Sequence, residues 1–227
     1  MKKLVLAFSV PFVAVVFSGC SKKNNGPSNA ASVMFVNGCN GTTNIDTKVG
    51  NNKLNAASNM AYLNNSGYQT ITAGSAVNIN FYLTTFGTPL TNGSPAITAN
   101  THNTVFVGGL ITGPSFVITS DDLTAPASGN AKVRFINLSS DNLNESFSVG
   151  TKLDSNIGYT VCTPYREIPA TTSIGVSVVD PAHVVPNYLA QLSNQAFGAG
   201  RIYTIMLTGT SAGSGTTVLK LTVINNN

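Results

Sequence analysis

Three stretches of the chain alternate apolar and polar positions with a period of two. Between Ala76 and Leu83, the apolar residues Val77, Ile79, Phe81 and Leu83 alternate with Asn78, Asn80 and Tyr82. Ser173 to Val179 repeats the pattern with Ile174, Val176 and Val178, and Thr217 to Ile224 does so with Leu219, Leu221 and Val223. Successive side chains of a strand point to opposite faces, so each stretch predicts a half-buried β-strand. Clusters of Gly, Asn, Pro and Ser separate such runs at short intervals, the spacing that sandwich connections require. Two short patches read as helical, around Asn59 to Leu63 and Asn187 to Gln195. The chain is predicted to be all-β.

The strand pattern also repeats. Ala31-Ser-Val-Met-Phe-Val-Asn37 aligns with Ala131-Lys-Val-Arg-Phe-Ile-Asn137, and Val49-Gly50 with Val149-Gly150 at the same offset. Tyr68-Gln-Thr-Ile-Thr-Ala73 answers Tyr165-Arg-Glu-Ile-Pro-Ala170, and Thr104-Val-Phe-Val-Gly-Gly109 answers Thr204-Ile-Met-Leu-Thr-Gly209. Four islands in one order at a near-constant offset predict two homologous domains. The segment Thr124-Ala-Pro-Ala-Ser-Gly-Asn130 joins them.

Ahead of the repeats the pattern changes. Lys2 and Lys3 precede an uncharged, mostly apolar run from Leu4 to Phe17, and Ser18-Gly19 stand before Cys20. A charged start, a short apolar run and small residues at a cut site make a secretory signal. The run contains Pro11 and is shorter than the ~20 residues of a spanning helix. Val16 to Cys20 resembles the lipobox of bacterial lipoproteins, with Phe17 where that class usually has leucine. The resemblance implies cleavage before Cys20 and a lipid on its thiol; an ordinary signal peptide is the alternative. Ser21 to Asn29 has no apolar periodicity and reads as a flexible tether.

Composition narrows the function classes. The whole chain carries twelve basic and eight acidic residues, yet Lys2, Lys3, Lys22 and Lys23 all precede the repeats, which leaves eight of each. No basic patch remains for nucleic acid, so that partner is excluded. Only 9% of residues are charged and there is no tryptophan, a balance that fits a β protein outside the cytoplasm.

The repeated pattern resembles the bacterial family catalogued as domain of unknown function 4397. The resemblance rests on Val133 to Asp141, Ile45-Asp46-Thr-Lys-Val-Gly50, Tyr68 to Gly74 and Tyr203-Thr204. In the second copy Phe147 and Ser148 stand at the Ile-Asp position, so the acidic residue is missing there. The resemblance spans Ala31 to Ile224, implies an envelope location and transfers no catalytic residue.

Candidate chemistry is sparse. Gly209-Thr-Ser211-Ala-Gly213 matches the nucleophile pattern G-x-S-x-G, but no Asp, Glu or His follows it and a strand, not a helix, comes next. His102 and His183 lie in polar turns; with Asp121 or Asp180 they are the remaining triad candidates. Asp121-Asp122 and Asp141 to Glu145 offer oxygens of the kind Ca²⁺ takes, yet turn chemistry accounts for them, and no metal or other cofactor is expected. Cys39 and Cys162 form either a disulfide across the two domains or two free thiols. Tyr82, Phe86, Tyr159 and Tyr188 could stack on sugar rings, or serve as sheet packing residues.

The sequence thus predicts an all-β chain: a signal peptide over residues 1–19, a lipidated tether over 20–30, and two tandem Ig-like β-sandwich domains over 31–123 and 131–227. It is expected to be no enzyme but a binding or adhesion module, held at a bacterial envelope membrane through Cys20, with a protein or glycan partner. A structural scaffold of an envelope complex is the second reading and a hydrolase the third.

Overall fold

The computed structural model describes residues 29–141, 144–179 and 188–227. The signal segment, Cys20, Asp180 and His183 lie outside them. In the first half the strands are β1 (Ala30–Asn37), β2 (Asn44–Val49), β3 (Asn52–Lys53), β4 (Met60–Ala61), β5 (Asn65–Thr72), β6 (Ile79–Leu83), β7 (Thr88–Gly93), β8 (His102–Leu110) and β9 (Gly113–Ser120). In the second they are β10 (Asn130–Asn137), β11 (Glu145–Val149), β12 (Lys152–Ile157), β13 (Arg166–Pro169), β14 (Thr171–Val179), β15 (Tyr188–Phe197), β16 (Ile202–Thr208) and β17 (Lys220–Asn225). Two 3-10 turns, Asn55–Ala57 and Gly215–Thr217, complete the regular structure of the described residues.

The strands form four sheets, two from each half, and the halves pair their strands alike. Sheet order β5-β1-β8-β9 is matched by β13-β10-β16-β17, and β3-β2-β6-β7 by β12-β11-β14-β15. In both halves the first strand runs parallel to a late one, β1 with β8 and β10 with β16, while the other pairings are antiparallel.

Burial explains how the sheets stack. Val33, Phe35, Val105 and Val107 enter one core with Ile45, Ile79 and Phe81. Their strand neighbours Met34, Val36 and Phe106 point the opposite way, into a middle core with Ile136, Leu138, Met206 and Ile224. Val133, Phe135, Ile205 and Leu207 enter a third with Phe147, Val176 and Val178. The two inner sheets are therefore buried on both faces, which is why β1, β8 and β16 read as near-continuous apolar runs rather than alternating ones. Glycine permits the close approach between halves: a Cβ on Gly108 would lie 2.8 Å from Leu138 Cδ2.

Three expectations change. The patch at Asn59 to Leu63 holds β4 and two left-handed residues, Asn59 (φ 53°) and Leu63 (φ 69°), in place of a helix. Residues 188–197 form β15, because pairing with β14 satisfies their backbone and overrides local helical preference. The C-terminal strand begins at Lys220, after the turn over Gly215–Thr217.

Contacts between the halves orient every strand. Arg134 on β10 meets Asp121, whose N–H donates to the His102 carbonyl at the start of β8. At the other end Tyr62 donates to Thr208, the last residue of β16. Hence β1, β8, β10 and β16 all run the same way. Residue 29, where the described chain begins, lies at one end of the stack; the loops after β1, β6, β8 and β16 gather at the other.

Candidate functional site

The middle core carries one buried polar cluster. The Arg134 side chain is 2% exposed and that of Asp121 is 0%, and the Arg134 guanidinium donates to Asp121 Oδ1 at 2.6 Å. Tyr68 and Thr104 from the first half donate to Asp121 Oδ2, each at 2.6 Å. Arg134 also donates to Thr204 and to the Ser120 carbonyl, and lies over the Tyr165 ring with Cζ 4.4 Å from its centroid. Burial, reinforced by the Asp121 charge, pushes the Tyr68 phenol up; burial does the same to Tyr165 against the pull of Arg134. Both phenols are neutral near pH 7, so Tyr68 keeps the proton it donates. The cluster locks the halves together and offers no reactive group.

The joining segment is fastened as well. Lys132 pairs with Asp122 at 2.8 Å and donates to Thr124, while Glu167 accepts from the Ala127 N–H and the Asn130 side chain. These partners hold the Asp122 carboxyl below the ordinary range, through Lys132 first, and that of Glu167 likewise, through Asn130 first. A lowered folded pKa gives stability that is present above the unfolded value of about 4 and lost as pH falls towards the folded one. Both sites are exposed, so the effect is local. In an NMR titration, the Thr124 and Ala127 amides are expected to shift with midpoints below the ordinary aspartate and glutamate values, about 3.9 and 4.3 respectively; midpoints at or above those values would refute the fastening.

The other candidates are scattered. His102 is exposed at the start of β8, whereas Ser211 lies in the loop after β16, at the opposite end of the stack; its N–H donates to Asp141. A strand of nine residues spans roughly 30 Å, so these two side chains do not meet. The Asp121 carboxylate is occupied by Arg134, Tyr68 and Thr104. Among the described residues no three His, Cys, Asp or Glu side chains gather as a metal set.

Cys39 and Cys162 are both free thiols, the first buried and the second partly so. Burial pushes Cys39 up to about 12 and Cys162 up to about 11. Thiolate is the reactive form, so both should resist iodoacetamide at pH 8 in the native protein and react fully in guanidinium. Peptide mapping reads this out, and rapid native alkylation of either would contradict the burial.

Two surface features stand out. Among the described residues the exposed large apolar side chains are Phe86, Ile111, Leu153, Val161, Tyr188 and Val218. All but Leu153 lie at the end remote from residue 29: Phe86 after β6, Ile111 after β8, Val161 beside Asn137, Tyr188 opposite Val179, and Val218 after β16. They come from both halves. Separately, the outer face of the β12-β11-β14-β15 sheet holds a groove of about 380 Å³. Tyr82 and Tyr159, by contrast, are half-buried: Lys48 sits over the Tyr82 ring, and the Tyr159 hydroxyl bonds Ser115.

Sequence reasoning missed the Arg134–Asp121 pair. The available signal was a cationic side chain, Arg134, at the position where the first copy has the apolar Met34.

The family described as "Domain of unknown function (DUF4397)" matches residues 31–144, half of the chain. Among solved structures, a protein from Bacteroides uniformis with a proposed cell adhesion role is 13% identical, over 88% of this chain and 100% of that one, with a TM-score of 0.27. The CBM26-family module CBMbc from Eubacterium rectale Amy13K, solved with maltoheptaose, is 8% identical over 87% and 97%, with a TM-score of 0.26. At those scores neither carries an argument about this chain. No curated protein matches it.

Proposed function

The chain belongs to the family described as domain of unknown function 4397, and from that premise we propose that it is a lipid-anchored protein of a bacterial envelope. Its two Ig-like sandwich domains, tandem copies of one unit, act as a non-catalytic binding module. The observation that carries this reading is the placement of the exposed apolar residues. A lipid on Cys20 would hold the start of β1 towards the bilayer, and among the described residues five of the six exposed large apolar side chains lie at the far end. Solvent-exposed apolar residues gathered from separate loops are a mark of an interaction surface. The locked middle core supports the same reading, because a rigid body presents its loops with little ordering cost on binding.

Two measurements test it. Metabolic labelling with a clickable palmitate analogue should mark the wild-type protein and leave Cys20→Ser unmarked; an unmarked wild type ends the anchor. Isolated envelopes should retain the Cys20→Ser protein, and adding Phe86→Ser, Ile111→Ser and Val218→Ser should lower retention by roughly tenfold, about 1.4 kcal/mol. Equal retention by the added variant ends the role of the far end. These three side chains are exposed, so folding is expected to survive their change.

A further inference from the structure

We infer that the groove on the β12-β11-β14-β15 sheet is a binding site for a neutral oligosaccharide; the inference rests on the binding-module reading and gives it a ligand class. The groove crosses the sheet's solvent face, from Leu153 on one edge strand to Tyr188 and Gln191 on the other. Among the described residues its lining holds no charged side chain. Ser148, Ser177, Gln191 and Ser193 supply hydroxyl and amide groups that both donate and accept, the inventory that matches a polyol. Ser148 and Ser177 face each other across β11 and β14 with their oxygens 2.7 Å apart, which fixes two of those hydroxyls in place. Tyr188, 54% exposed, adds an aromatic ring with a polar tip.

Gly175 separates this groove from an ordinary sheet face. It lies in the middle of β14 and lines the floor. Glycine weakens a strand, and in a strand interior it marks a bulge, a bend or the close approach of a ligand. The register does slip here, since Ile174 pairs Gln195 while Val176 pairs Leu192. The left-handed residue that absorbs the slip is Asn194 on the partner strand (φ 56°), and Gly175 has no positive φ. A Cβ built on Gly175 meets no atom within 4 Å. Neither backbone conformation nor packing requires glycine, so its missing side chain leaves a depression that a side chain would fill.

The test uses full-length protein in lauryldimethylamine oxide, a detergent without sugar, titrated calorimetrically with maltohexaose, cellohexaose, mannohexaose and xylohexaose, with a heparin hexasaccharide as the charged control. At least one neutral hexasaccharide should bind and the heparin probe should not. Gly175→Val, whose Cβ would meet no atom within 4 Å, and Tyr188→Ala should each weaken binding by roughly tenfold or more. Both variants should melt as the wild type does, and Gln191→Ala gives a third readout that leaves the backbone untouched. Silence from all four neutral probes overturns the site, as does binding that Gly175→Val leaves unchanged or preference for heparin. Envelope retention of the far-end triple variant is read independently of this titration, so failure of the groove and failure of the far-end surface are told apart.

Discussion

Arg134→Met is expected to cost about 3–5 kcal/mol of folding stability. The guanidinium and the Asp121 carboxylate are both buried, so removing the cation leaves a carboxylate in a medium that solvates it poorly. The Tyr68 and Thr104 hydroxyls still donate to it, but they supply dipoles where a full charge stood. Methionine roughly conserves the volume, and the first copy carries a fully buried Met34 at the matching position, so the cost reads electrostatics more than cavity. The double variant Arg134→Met/Asp121→Asn removes both charges and should recover more than half of the loss. Urea denaturation of the wild type, the two single variants Arg134→Met and Asp121→Asn, and the double variant closes the cycle. A single-variant cost below about 1 kcal/mol, typical of an exposed pair, would show that the pair is hydrated rather than buried.

The second large effect concerns the middle core. Calorimetry should show one unfolding transition for the wild type, because Phe106, Ile136, Leu138 and Met206 join the inner sheets of both halves. Phe106→Asp puts an unpaired carboxylate there and removes a fully buried ring; it should cost more than about 4 kcal/mol and split the transition in two. Phe81→Ala removes a ring from the first core, away from the junction, and should cost about 3–5 kcal/mol. A single, unshifted transition in Phe106→Asp would mean that the halves do not share a core.

The outer strands were legible because each has one dry face and one wet face. Val77, Ile79 and Phe81 are buried while Asn78 between them is exposed, as their alternation required. The inner strands carried a different signal, runs such as Val105-Phe106-Val107, whose two-sided burial calls for a layer on each side. The patch before Gln195 was misread because local preference is weak beside the ladder that β14 provides. Arg134 stood where the first copy has Met34, but nothing near it named Asp121, thirteen residues earlier and across a joining segment. The far-end residues, from Phe86 to Val218, share no motif at all.

Periodicity is a property of one strand's own backbone, and for that reason the residue order alone sufficed for the all-β class. Which sheet covers which, where the buried Arg134 finds its anion, and which loops share an end are set by contacts between residues far apart in the chain. Those contacts form only when apolar faces are driven together, so the stack, its lock and its groove belong to the tertiary structure.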